Sequence, residues 1–195
     1  MKKLSQTVSV PLLFMAYYNT VFRYGVEKFC KDAKDAGAAG LIVPDMAIEE
    51  ENEEHFLKYC KQYGLHTIQV ISPASTDERL KKNAAIANGF VYCTARQGIT
   101  GAKENLSSDL SDFLKRVKKF FSIPVAVGFG ISKKEHVSAL TGHADVAVIG
   151  SAIIDVINKV EKKDRENAVK KFLSSRESLI NFENMPLDPL FLGSV

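Results

Sequence analysis

Three turns in the second half of the chain carry the residue types that hold a phosphate: Gly98-Ile99-Thr100-Gly101, Gly128-Phe129-Gly130 and Gly150-Ser151. A phosphate dianion is bound best by converging backbone N–H groups, and glycine lets the backbone come close to it. Ser151 adds a hydroxyl and stands where a helix would open, with its positive end toward the anion. Each hydrogen bond to a charged group contributes about 1.5–3 kcal/mol, so four or five would anchor a substrate. One glycine turn would mean little. Three, each behind an apolar run and in succession, point to a common anion site.

Near the ends of the apolar runs stand Met15, Tyr17, Ile42, Val70, Tyr92 and Phe129, which could line a flat apolar pocket. Ile42 and Val70 fit a core role equally well. Phe129 lies between two glycines, where a core position is less natural, and a buried Tyr92 needs a partner for its hydroxyl. A ligand with a planar ring at one end and a phosphate at the other would suit both groups. Asp45 is the one carboxylate directly behind an apolar run, and it is a candidate acid or base as well as a candidate structural or interface residue. His55, His66, His136 and His143 are isolated, and Cys30, Cys60 and Cys93 lack metal or redox spacing. No metal site is expected, and the cysteines read as reduced packing residues.

Strand–helix units must position these residues. Short β-branched or aromatic runs alternate with longer amphipathic stretches, the pattern of parallel βα units. Strands are expected over Pro11–Tyr17, Leu41–Asp45, Thr67–Ser72, Gly89–Thr94, Ile123–Val127 and Asp145–Ile149. Helices are expected through Val26, Phe29 and Cys30, from Glu49 to Tyr63, and behind a Ser75 cap with Glu78 completing a capping box. Further helices should run through Leu114, Val117 and Phe120, behind a Ser132 cap, and from Ile153 to about Ile180 with a break near Lys162-Lys163-Asp164. Glycines crowd the ends of the last three strands, where a (β/α)8 barrel binds phosphate. The expectation is an α/β fold of the (β/α)8 TIM-barrel family with six of eight units, one partial domain over residues 1–180, and an atypical tail over 181–195.

Composition narrows the function classes. A net charge of +3 with scattered lysines does not suit nucleic acid. No run of about eighteen apolar residues is present, so no membrane span is expected. The start turns polar after Lys3, unlike a secretory signal, and the expected location is cytoplasmic.

Several blocks resemble the tryptophan synthase alpha chain family in order and spacing: Tyr18-Asn19, Gly40-Leu41-Ile42-Val43-Pro44-Asp45, Ser75-Thr76-Asp77-Glu78-Arg79, Arg96-Gln97-Gly98-Ile99-Thr100-Gly101-Ala102, Val127-Gly128-Phe129-Gly130-Ile131-Ser132 and Ile149-Gly150-Ser151-Ala152. The resemblance implies cleavage of indole-3-glycerol phosphate to indole and glyceraldehyde 3-phosphate, in tryptophan biosynthesis. It implies that Gly101, Gly130, Gly150 and Ser151 hold the phosphate, and that Tyr92, Phe129, Met15 and Ile42 surround the indole ring. Thr100 would help close the site from a mobile loop over Ala95–Leu106. Asn19 would face a β subunit that carries pyridoxal phosphate, in an α2β2 heterotetramer, while this chain holds no cofactor.

The family's catalytic Glu and Asp, in a segment of the form E-x-G-x-P-[FY]-S-D-P, have no match in these residues. The resemblance places them before Met1, in two units that this chain lacks, and Asp45 corresponds to neither. The chain alone is therefore expected to be inactive. Its open sheet edges would then be covered by another chain, by sequence outside these residues or by a second copy. The alternative is a catalytically dead regulator that binds a phosphorylated ligand beside a β subunit. Indole-glycerol-phosphate synthase is a third reading, but it needs a lysine at a strand's end, and none stands there.

Overall fold

The computed structural model describes residues 1–46, 48–94, 108–128 and 134–177. The helix α1 (Lys2–Ser5) precedes six strand–helix units. In order these are β1 (Leu13–Met15) with α2 (Tyr18–Tyr24) and α3 (Val26–Asp35), then β2 (Gly40–Ile42) with α4 (Glu51–Glu54) and α5 (Phe56–Gln62). Next come β3 (His66–Ile71) with α6 (Asp77–Ile86), and β4 (Val91–Thr94) with α7 (Ser108–Lys118). The last are β5 (Val125–Gly128) with α8 (Lys134–Ala139), and β6 (Val146–Val148) with α9 (Ser151–Asn158) and α10 (Arg165–Glu177). The strands are hydrogen-bonded in chain order, and β1–β2, β2–β3 and β5–β6 are parallel pairs. Sequential parallel neighbours joined by helices are what six consecutive βα units require.

The chain falls into two compact units. Among the described residues, one comprises Met1–Val70 and Thr76–Val91, and the other comprises Ile71–Ser75 and those from Tyr92 to Glu177. In the first, Leu41 and Val43 pack with Val21, Cys30, Ala33, Phe56, Cys60 and Leu65, with Phe14 and Phe29 against them. In the second, α7 buries Leu110, Phe113, Leu114 and Val117. That spacing of three, four and seven residues is a single helical stripe. Removing one of these leucines should cost about 2–5 kcal/mol.

Sequence periodicity finds all six strands, but the structure moves several boundaries. The first strand is shorter than Pro11–Tyr17, and the second ends at Ile42 rather than at Asp45. Pro44 has no N–H to continue the second ladder, and β1 extends only as far as its partner does. One helix was expected behind β1, and there are two, divided at Gly25, whose φ of +96° only glycine adopts readily. The acidic stretch breaks at His55, which has φ +57°. The Glu51 carboxylate accepts from Leu57 N–H and Lys58 N–H at 2.8 and 2.9 Å, so it caps α5 rather than opening a continuous helix. The cap of α6 is Thr76, not Ser75. Thr76 Oγ1 accepts from Arg79 N–H, while Ser75 Oγ accepts from Ser72 N–H and holds the preceding turn. The break near Lys162-Lys163-Asp164 is present as a 3-10 turn. The Ser132 cap and the tail over 181–195 lie outside the described residues.

Two side chains pin strand beginnings. Asn88 Oδ1 accepts from Thr67 N–H at 2.7 Å, and Asp145 Oδ2 accepts from Val125 N–H at 2.8 Å. Both hold the amino ends of strands and leave the carboxyl ends to other chemistry. Burial pushes the Cys93 thiol up to about 12, which marks the interior around β4 as apolar.

Candidate functional site

In the first unit, register decides what stands at the strand ends. Met15 is opposite Ile42, and Ile42 is opposite Ile68. Their neighbours Phe14 and Leu41 belong to the core beneath the helices. Side chains alternate along a strand, so Met15 and Ile42 share the face turned away from those helices. Met15 is 63% exposed and Ile42 half-buried, so the two sequence candidates are brought side by side on an accessible face. Gly40 on the same row has no room for a side chain, because an added Cβ would come within 2.6 Å of the His66 carbonyl oxygen.

Just beyond, the Asp45 carboxylate is exposed and engaged by the backbone of α2. Its Oδ1 accepts from Tyr18 N–H at 2.8 Å, at the first turn of α2. A carboxylate at a helix N-terminus satisfies an otherwise unpaired donor and meets the positive end of the dipole. The Tyr18 hydroxyl in turn donates to Glu54 Oε2. Asn19, the next residue of α2, is exposed and lies in a turn that these two hydrogen bonds hold. Tyr17, just before it, is 71% exposed.

In the second unit, β4 alternates buried Val91 and Cys93 with half-buried Tyr92 and Thr94. The Thr94 hydroxyl donates to the Ile71 carbonyl at 3.2 Å. The Tyr92 ring lies over Gly128 of β5. A Cβ at Gly128 would overlap the Tyr92 hydroxyl and stand 2.5 Å from Cζ. Burial raises the Tyr92 hydroxyl above the ordinary tyrosine range. The sequence pattern puts Gly128 in a phosphate turn, whereas the structure places it in β5 beneath the Tyr92 ring. A glycine inside a strand is the signal that could have identified it, since such positions mark close approaches.

Behind β6, Gly150 is the N-cap of α9 and Ser151 its first residue, and both are exposed. No side chain caps this helix, and a Cβ built on Gly150 would meet nothing within 4 Å. Ile153 N–H and Ile154 N–H donate to the Gly150 carbonyl, and a helix start with no side-chain cap among the described residues is the kind of place that suits an oxyanion. Gly101, Gly130, Thr100 and Phe129, together with the expected lid over Ala95–Leu106, lie outside the described residues. Among the described residues no His, Cys, Asp or Glu cluster could hold a metal ion, and no helix is long and apolar enough to cross a membrane.

A family model described as Tryptophan synthase alpha chain matches residues 1–183. The chain belongs to this family. It is 47% identical over 159 residues to the tryptophan synthase alpha chain of Methanocaldococcus jannaschii, covering 81% of this chain and 56% of that one. Against the alpha chain of Desulfotalea psychrophila it is 43% identical over 174 residues, covering 89% of this chain and 66% of that one. A solved mutant alpha-subunit structure from the hyperthermophile Pyrococcus furiosus superposes with a TM-score of 0.81 at 33% identity. That match covers 91% of this chain and 70% of the other. The chain thus spans between about half and two thirds of the length of these two curated relatives. The fold is that of the (β/α)8-barrel family, and its six units are the six that the sequence pattern marks out.

Proposed function

We propose that this chain forms the ring- and phosphate-binding part of a tryptophan synthase alpha subunit, a carbon–carbon lyase acting on indole-3-glycerol phosphate. The observation that carries the reading is the open, exposed N-terminus of α9 at Gly150-Ser151, in a chain matched to this family over residues 1–183. On this reading the phosphate sits on the N–H groups of α9, with the Ser151 hydroxyl and the turns at Gly101 and Gly130 completing the cradle. Tyr92, seated on Gly128, stacks on the indole ring, and Phe129, Met15 and Ile42 serve the same ring. Thr100 closes the site. Asn19 faces a β subunit in an α2β2 assembly, where pyridoxal phosphate is bound, and this chain takes no cofactor of its own. We read residues 1–180 as one partial domain, and the setting as cytoplasmic.

Cleavage needs a proton delivered to indole C3 and a proton removed from a glycerol hydroxyl. No pair of carboxylates matching the family's Glu and Asp occurs among these 195 residues. Asp45 is held at the N-terminus of α2. The 195-residue chain should therefore bind the substrate and leave its carbon–carbon bond intact. Calorimetric titration with indole-3-glycerol phosphate, paired with an assay for free indole, tests both parts. Binding without indole release is the expected result, and an absence of binding would overturn the reading. The same outcome fits a regulatory role beside a β subunit. Adding the β subunit and finding its turnover changed by the ligand-bound chain would favour that role.

A further inference from the structure

Two thiols that the lyase reading does not use lie together in the first unit. Cys30 on α3 and Cys60 on α5 are each 0% exposed, and their Sγ atoms are 3.7 Å apart, within hydrogen-bonding distance for sulfur. Neither is in a disulfide, and both belong to the cluster formed by Val21, Ala33, Leu41 and Phe56. Two thiols in an apolar setting are ordinarily inert, because burial disfavours the thiolate. A thiol that donates to its neighbour's sulfur changes this, since the resulting anion is stabilised by the remaining S–H. The Cys60 hydrogen bond lowers the Cys30 thiol below its ordinary range, and the same bond together with burial raises Cys60. The two sulfurs are therefore unequal: one is the better nucleophile and the other keeps its proton. Cys93 supplies a contrast within the same chain. It is equally buried, and burial alone pushes its thiol up to about 12.

We propose that Cys30 and Cys60 are a peroxide-sensitive dithiol that closes into a disulfide latch between α3 and α5. The Cys30 thiolate attacks a peroxide oxygen, the O–O bond breaks, and Cys30 becomes a sulfenic acid as hydroxide leaves. Cys60 then attacks the Cys30 sulfur and displaces the sulfenic oxygen, which leaves as water with the Cys60 proton. In sum, two thiols and one hydrogen peroxide give one disulfide and two waters. A small oxidant suits the site, because a bulky mixed disulfide would have no space among these side chains. The latch ties the helices behind β1 and β2, the strands that carry Met15 and Ile42, and a thiol reductant reopens it. It depends on neither the substrate nor the β subunit, so it stands apart from the lyase reading.

The test treats the whole chain, natively folded, with a small molar excess of hydrogen peroxide and then alkylates the remaining thiols after unfolding. Mass spectrometry should find the loss of two hydrogen atoms, a peptide linking Cys30 to Cys60, and Cys93 alkylated. Dithiothreitol should restore all three thiols. The Cys60→Ser chain, whose hydroxyl keeps a donor for the Cys30 thiolate, should stop at a sulfenic acid on Cys30, trapped by dimedone added with the denaturant, and the Cys30→Ser chain should form neither the cross-link nor the dimedone adduct. Oxidised protein should melt above reduced protein, and the difference should vanish on reduction. Three free thiols after treatment, or Cys93 oxidised as fast as the pair, would overturn the proposal. So would sulfinic acid at Cys30 without a cross-link, or a lower melting temperature on oxidation.

Discussion

Two helices begin at the carboxyl ends of strands, and their N-termini are treated in opposite ways. At α2 the protein supplies its own anion: the Asp45 carboxylate accepts the Tyr18 amide. At α9 the first residues are Gly150 and Ser151, exposed and without a side-chain cap. Both ends present the same partial positive charge and the same unpaired donors. The difference is that one is filled from within, while the other has no side-chain cap among the described residues, as the phosphate site proposed above requires. The positive end of a helix is therefore not itself a binding site. It becomes one where the chain withholds its own acceptor.

The strongest way to break this contrast is to make α9 resemble α2. Ser151→Asp places a carboxylate at the open terminus, and like charges in contact cost several kcal/mol. Affinity for indole-3-glycerol phosphate should therefore fall by about a hundredfold or more, with the fold retained. Calorimetry and circular dichroism measure the two together, and unchanged affinity would refute the role given to α9.

Next in size is the aromatic seat. Gly128→Ala forces a Cβ into the Tyr92 ring, an overpacking that should cost about 1–3 kcal/mol in urea unfolding and weaken ring binding. Tyr92→Ala in the same chain should recover most of the lost stability but not the affinity. Tyr92→Phe should not recover it, because Cζ remains 2.5 Å from the new Cβ. If the two single changes prove additive, the contact is not the cause.

Emptying the filled end is a smaller change. Asp45→Ala removes the acceptor for Tyr18 N–H and should lower stability by about 0.5–2 kcal/mol, as other lost caps do. Phosphate affinity should stay within error, since the carboxylate meets α2 and not the ligand. A large loss of affinity with stability intact would instead mark Asp45 as part of the binding machinery.

The smallest effect lies in the alkaline range. Burial raises the Tyr92 hydroxyl, so the folded chain keeps a proton that the unfolded chain releases from about pH 10. Stability from this group is full below that value and declines as pH rises through it. Tyr92→Phe should make the alkaline decline shallower, by less than about 1.4 kcal/mol per pH unit, the limit for one proton. Denaturant melts at a series of pH values would show it.

What could be read before any coordinates was set by neighbours in sequence. Six apolar runs alternating with amphipathic stretches specify six βα units, because burial of one face imposes a period that local spacing records. Gly150 before Ser151 signals a helix start, and the break near Lys162-Lys163-Asp164 is visible in its charges. Where two residues compete for one local role, the pattern is less decisive. Ser75 and Thr76 are both good caps, and the turn from Ser72 uses the first, which leaves the second for α6. The break at His55 has no glycine to announce it.

Only tertiary structure could assign Asp45 to α2, a partner 27 positions away, or seat Tyr92 on Gly128. It alone brings the sulfurs of Cys30 and Cys60, 30 positions apart, into contact. Each of these depends on which strands lie beside each other and in what register, and that is decided by the packing of the whole chain. Composition and spacing specify which groups can bind, donate or react. Whether such a group is engaged by the protein or left open to a ligand follows from long-range geometry, because a hydrogen bond or a close contact exists only within a few ångströms.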